Sequence, residues 1–192
     1  MMIHLNGWPG VGKRTIGSIL AKHLGARFIH NHLLHDVAIV CTGFDDPERW
    51  VLYDLVRQAA YASLRKRPLT EVFVMTNALC KNAPRELEAW SHVVELAMSR
   101  NVPLVPVVLE ATAEELFRRL QNAERVGKKL SDPAELRSYF AVDTLQYPAV
   151  SELLVLDVTR LTREESALRI EQHLTVIRGS LEPARPRHLQ LR

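Results

Sequence analysis

The stretch GWPGVGKRT, Gly7 to Thr15, constrains what this chain can fold into more than any other. Gly7, Gly12 and Lys13 satisfy all but the last position of the pattern G-x-x-x-x-G-K-[ST]. A short apolar strand, Ile3 to Leu5, precedes it, and Ile16, Ile19, Leu20 and Leu24 follow at helical spacing, which is the strand-loop-helix context the pattern requires. The glycines let the backbone curl with its N–H groups turned inward, Pro9 fixes part of that curl, and the helix presents its positive end to the same space. A polyphosphate therefore meets donors and a favourable dipole together. The stretch reads as a phosphate-binding loop contacted through Gly7, Gly10, Val11, Gly12, Lys13, Arg14 and Thr15, with Lys13 reaching the outer phosphates.

Two departures bear on the metal that accompanies such phosphates. Arg14 stands where a magnesium-binding hydroxyl follows the lysine, leaving Thr15, or a water held by a carboxylate, to substitute. The third apolar run, Thr70 to Thr76, ends in Thr76-Asn77, where an acidic residue often holds the hydrated ion. Asn77 can orient a water or a substrate hydroxyl, but it cannot act as a base.

Further along, five apolar runs alternate with helical patterns: Ile3 to Leu5, Arg27 to His30, Thr70 to Thr76, Leu104 to Leu109 and Leu153 to Val158. That alternation predicts an α/β fold with a parallel sheet covered by helices on both faces and a ligand at the carboxyl ends of the strands. The rim so formed includes the loop, His30 to Asp36, Thr76-Asn77 and Glu110. Helices are expected from Thr15 to Leu24, from Pro47 to Lys66, from Pro84 to Arg100, through Leu116 to Leu120 behind a Thr112–Glu115 capping box, and from Thr162 to Ile177 behind a second box. In the second of these, Trp50, Val51, Leu55, Ala59, Ala62 and Leu64 are the expected buried stripe. Asp54, Arg57 and Arg65 then fall on the wetter side, so Arg57 reads first as a solvated arginine and second as an acceptor contact. In the third, Leu87, Trp90, Val94 and Met98 are the expected stripe, with Glu86, Glu88 and Arg100 outside.

The cluster His30, Asn31, His32, His35, Asp36 lies at a strand-to-helix junction, which scatters its side chains rather than gathering them on a metal. Asn31, His32 and Asp36 are expected to face an acceptor substrate, the structural alternative being helix capping by Asn31 and His32. Between Gln121 and Ser131 the chain turns polar and carries Arg125, Lys128 and Lys129 around Gly127, which reads as a basic lid over the phosphates. Asp132-Pro133 starts another helix. Residues 1–178 form one domain in this reading, with 179–192 a loose tail.

Composition excludes several classes. Hydrophobic residues at 47% and charged ones at 24% suit a globular protein, and a net charge of +3 gives no ground for nucleic-acid binding beyond the basic tail. The longest apolar run, broken by Pro103 and Pro106, is too short to span a bilayer, and Met1 to Leu5 is too brief for a signal peptide. Cys41 and Cys80 are far apart without metal spacing, so a cytoplasmic protein with reduced thiols is expected.

The chain resembles the small P-loop kinases of the nucleoside-monophosphate kinase-like superfamily, which include shikimate and gluconate kinases and antibiotic phosphotransferases. The resemblance rests on GWPGVGKRT, on VPVVLEATAEELFRRL from Val105, on the basic segment AERVGKKLSDP and on LLVLDVT before the last helix. It implies a P-loop NTPase fold with sheet order 2-3-1-4-5, ATP as donor, magnesium, and a small-molecule acceptor. By the same resemblance Lys13 contacts the outer phosphates, Thr15 the inner phosphate, Arg119 the nucleotide phosphates from the helix end, and Arg125 makes the lid contact. Thr159 to Leu161 lie beside the adenine; the resemblance leaves the acceptor and the base open, and Asp36 is the residue chosen here as the base. The expected function is transfer of the terminal phosphoryl of ATP to a hydroxyl. A nucleotide-binding switch with little transfer is the alternative that Arg14 and Asn77 suggest.

Overall fold

The computed structural model describes residues 1–121 and 144–181. Of the expected lid at 121–131 only Gln121 is described; Arg125, Lys128 and Lys129, the helix start at Asp132 and the tail beyond Leu181 lie outside the described residues.

Five strands, β1 (Met2–Gly7), β2 (Arg27–His30), β3 (Phe73–Thr76), β4 (Leu104–Glu110) and β5 (Leu154–Asp157), form one parallel sheet in the order β2-β3-β1-β4-β5. The expected order 2-3-1-4-5 is the observed one. Six helices surround it among the described residues: α1 (Lys13–Leu24), α2 (His32–Thr42), α3 (Glu48–Arg65), α4 (Pro84–Ser99), α5 (Ala113–Leu120) and α6 (Arg163–Leu181). The last helix runs on into the segment expected to be loose.

The sheet buries both faces because side chains alternate along each strand. On one side Ile3 and Leu5 of β1 meet Ile16 and Leu20 of α1 and Ala167, Ile170 and Leu174 of α6. On the other, Met2 joins Phe73, Met75, Leu34 and Ala38 with Tyr53, Tyr61, Val93 and Leu96. The central strand β1 is buried throughout, so its end delivers the phosphate loop from a rigid base.

Several side chains sit on other faces than their pattern suggests. In α3 the buried residues are Tyr53, Arg57 and Tyr61, while Val51 and Leu55 are more than half exposed. Aromatic rings at i and i+8 with the stem of Arg57 between them make the inner face, and the aliphatic residues lie outside. In α4 the inward residues are Val93, Leu96 and Ala97, and Leu87 and Met98 are exposed. Arg100, expected outside, is 2% exposed. Its guanidinium donates to the carbonyls of Leu64 (2.5 Å), Arg67 (2.9 Å) and Pro68 (2.9 Å) and lies 4.3 Å from the Phe73 ring centroid. It thereby closes the end of α3, whose last carbonyls have no helical partner. β3 begins at Phe73 rather than Thr70: the Glu71 N–H closes a turn on the Pro68 carbonyl (3.0 Å), and its carboxylate accepts from Arg27 and Arg67.

Candidate active site

At the carboxyl end of β1 the chain enters the loop with Gly7 at φ 150°. A Cβ there would stand 2.6 Å from the Leu109 carbonyl oxygen on the neighbouring strand, so only glycine fits. Gly12 caps α1 at φ 108° with no side chain closing the helix end, and no acidic residue occupies the first turn. The N–H groups of that turn are therefore uncapped by any side chain, the arrangement that suits an anion. Lys13 Nζ donates to the carbonyls of Gly7 (2.5 Å) and Trp8 (3.0 Å), which holds the ammonium over the loop it would share with phosphates. Arg14 and Thr15 are exposed and line the cleft beside it.

Arg119 ties the loop to two other elements. Its Nη1 donates to the Val11 carbonyl (2.9 Å), Nη2 to the Val158 carbonyl (2.7 Å), and Nε to Glu115 (2.6 Å). Most of its donors are thus satisfied within the protein, and its main observed task is to fix the loop after β5 against the phosphate loop. Glu115 also accepts a bidentate pair from Arg118, both bonds at 2.7 Å, and these arginines hold its carboxyl down at about 2. The Thr112 capping box is consequently half formed. Thr112 Oγ1 accepts from Glu115 N, but the Glu115 carboxylate is taken by arginines and Thr112 N donates instead to Thr159 Oγ1. The Thr162–Glu165 box closes in both directions. Thr159, Arg160 and Leu161 line the cleft.

The cleft, about 1320 Å³, continues from the loop to α2, α3 and α4. Its far end holds a group that the sequence pattern scattered. Arg57, 6% exposed, points Nη2 at Asp54 Oδ1 (3.3 Å), and Arg85 reaches the other carboxylate oxygen at 3.5 Å. Arg85 and Arg49 each place a guanidinium over the Trp50 ring, 4.5 and 4.6 Å from its centroid. His35 stacks on Tyr53 at 4.1 Å, and burial with the positive charges of His32 and Arg49 lowers its pKa to about 4. Tyr53 donates to Asn31 Oδ1 at 2.9 Å, so Asn31 anchors α3 to the tip of β2 and does not cap α2 through its side chain.

Of the residues expected to meet an acceptor, Asn31 and His32 line the cleft and Asp36 does not. The cleft face of α2 carries His32, His35 and Ile39, and Asp36 is turned to solvent, 67% exposed, with its carboxylate 3.8 Å from His32 Nδ1. Asp54 of α3 does line the cleft, as do Glu86 and Glu88 of α4. Arg57 likewise belongs to the cleft, not to a solvated face. The signal for both was the aromatic spacing Trp50, Tyr53, Tyr61, which marks the inner side of α3. Glu110 accepts a hydrogen bond from Tyr147 at the rim, away from the cleft lining.

Behind the loop lies a polar pair on the central strands. Asn6 accepts from Gly7 N (2.8 Å) and Leu79 N (2.7 Å) and donates to the carbonyls of Leu79 and Gln146, so it seams β1 to the segments after β3 and before β5. His4, 1% exposed, places Nε2 3.0 Å from Asn77 Oδ1 and packs against Trp90. Burial pushes its pKa down to about 4, so it is neutral at pH 7.

Magnesium can be tested against this donor set. Among the described residues no three His, Cys, Asp or Glu side chains gather as for a metal ion. The carboxylates Glu115 and Asp54 are engaged by arginines, Glu86 accepts from Cys80 N, and Asn77 stands where an acidic residue would. The residues fit an ion that enters on the phosphates of a nucleotide with Thr15 as its protein hydroxyl. They do not fit one held by the protein's own carboxylates.

Residues 3–137 match the AAA_18 family, an AAA domain. The shikimate kinase of Paracidovorax citrulli is 30% identical over 148 residues, which span 71% of this chain and 73% of that relative. The chain belongs to this family of small P-loop kinases. Solved structures share its fold. A gluconokinase from Sinorhizobium meliloti 1021 superposes with TM-score 0.63 at 22% identity, covering 94% of each chain. A shikimate kinase from Acinetobacter baumannii, in complex with shikimate, superposes with TM-score 0.59 at 18% identity, covering 94% of this chain and 95% of that one. This kinship favours the kinase reading over a nucleotide switch without transferase activity. Among the described residues no helix is long and apolar enough to cross a membrane.

Proposed function

We propose that the protein transfers the terminal phosphoryl group of ATP to a hydroxyl of a small molecule that also carries an acidic group. The observation that supports this reading most is the continuity of the cleft: the phosphate loop opens into the same space as Arg57, Arg85 and Asp54. A donor phosphate on the loop and an acceptor on the arginines would lie in one enclosure. The kinase relatives are named for shikimate and gluconate, both hydroxy acids, and an arginine fork recognises a carboxylate in two-point fashion.

In this reading the loop N–H groups and Lys13 bind the outer phosphates and carry the charge that builds up on the transferring group. Arg119 keeps the nucleotide-side loop in register with Val11, and Arg118 and Arg14 supply positive charge at the cleft mouth. Bound magnesium would screen the phosphate charge, with Thr15 as its protein contact. Arg57 and Arg85 hold the acidic group of the acceptor while Asp54 orients its hydroxyl. Phosphoryl transfer of this kind draws on positioning and charge more than on a strong base, so a carboxylate already paired with arginines suffices.

The test is ADP release with a panel of hydroxy acids, each matched to its neutral polyol. At least one acid should raise turnover tenfold or more above the acceptor-free rate. A panel that never raises it would remove the transferase reading.

A further inference from the structure

We propose that Asn77 faces the cleft as a hydrogen-bond donor, locked in that sense by the buried His4, and reads an anionic oxygen of the nucleotide's outer phosphate instead of a metal-bound water. The inference rests on the proposed nucleotide site and adds to it the role of the β3 end, where an acidic residue is replaced.

The argument is one of donor and acceptor accounting. Asn77 lies one residue past β3, and its backbone N–H donates to the Leu5 carbonyl, so its Cα is fixed beside the strand that feeds the phosphate loop. The side chain lines the cleft although the residue is only 8% exposed. Its Oδ1 is 3.0 Å from His4 Nε2. An oxygen acceptor at that distance requires the ring nitrogen to carry its proton, which neutral His4 can do in one tautomer. With Oδ1 so occupied, the amide left for the cleft is Nδ2, which has only N–H to offer. Among the described residues it has no partner.

A metal ion or its water donates positive charge or protons and needs an acceptor oxygen. A phosphate oxygen needs a donor. Nδ2 matches the second and not the first, and the engaged state of the nearby carboxylates agrees. The rotated arrangement would reverse every role: Nδ2 donating to His4, Oδ1 facing the cleft, and the His4 proton on Nδ1. Tautomer and cleft chemistry are thus a single choice, and Trp90 and the sheet leave the ring no solvent to shift it.

Two measurements decide it. In the wild-type protein, long-range nitrogen-proton NMR of the His4 ring should show the Nε2–H tautomer at pH 7. The Nδ1–H tautomer would overturn the proposal, whether or not any nucleotide binds. Calorimetry with the non-hydrolysable probe AMPPNP, on wild type and Asn77→Asp, reads the cleft side. A carboxylate facing the outer phosphate at about 5 Å opposes it by enough to weaken metal-free binding about tenfold or more. Magnesium should restore most of that loss in Asn77→Asp. Metal-free binding equal to wild type in a folded Asn77→Asp protein would show that Asn77 does not read the phosphate. Failure of the wild type to bind AMPPNP at all would sink the nucleotide site, and with it this contact, while the tautomer still reports the His4–Asn77 lock.

Discussion

Arg119 Nη1 donates to the carbonyl of Val11 at 2.9 Å, so the last turn of α5 is fastened to the middle of the phosphate loop. The same guanidinium holds Val158 at the start of the loop after β5. One planar group therefore sets the spacing between two segments that line the same end of the cleft.

Arg119→Ala should raise the KM for nucleotide about tenfold and lower stability by about 2 kcal/mol, because two buried carbonyls lose a charged donor. Arg119→Lys should recover little of either, since an ammonium cannot span both carbonyls and Glu115. Equal nucleotide KM in wild type and Arg119→Lys, measured beside urea unfolding, would count against this role.

The pair of arginines at the other end makes a different prediction. Arg57→Ala should raise the KM for an acidic acceptor about tenfold to hundredfold and leave the nucleotide KM near wild type. Arg57 is more than nine-tenths buried beside Asp54, so its loss also leaves that carboxylate with Arg85 as its remaining arginine partner. Acceptor and nucleotide titrations run separately check the split. A parallel rise in both constants would place Arg57 in general packing.

How much of this could be seen in the chain alone depends on whether a role is local. The phosphate loop was legible because glycine, lysine and flanking elements lie within one short stretch; alternating strands and helices gave a parallel sheet, while its order came from the family resemblance. Asp54, Arg57 and Arg85 were not legible as a group. They come from two helices, and helical phase was judged from Val51 and Leu55, which the structure leaves exposed. A charged side chain such as Arg57 or Arg100 can lie inside when carbonyls, a carboxylate or a ring receive it, and nothing in the hydrophobic period announces those partners. Asp36 failed for the opposite reason. It sits near the right strand end but on the solvent side of α2.

Stability should fall as pH drops from about 6.5 towards 4. His4 and His35 are both lowered to about 4 in the folded chain, so the unfolded chain takes up protons first and folding loses ground through that window. The buried His4 contributes on the order of 3 kcal/mol to this loss, and the part-exposed His35 less. Glu115, held near 2, adds its loss at lower pH, where its unfolded form becomes protonated. Denaturant midpoints at pH 7.5 and 5 measure the effect, and His4→Gln should flatten the dependence. An unchanged slope in a folded His4→Gln protein would show that the ring does not carry it.

Lys13→Ala tests the centre of the site. Its ammonium lies on the carbonyls of Gly7 and Trp8 at the mouth of the loop and packs into neither core, so its removal should leave the unfolding midpoint within about 0.5 kcal/mol of wild type. The effect should fall on transfer. The positive charge that meets the outer phosphates is worth most when negative charge builds up on the transferring group, so turnover should drop about a hundredfold or more while nucleotide KM changes less. Lys13→Arg should not restore the rate, because the longer planar fork cannot occupy the space between two loop carbonyls and a phosphate. A folded Lys13→Ala protein with near-normal turnover would mean that the loop binds phosphate without taking part in its transfer.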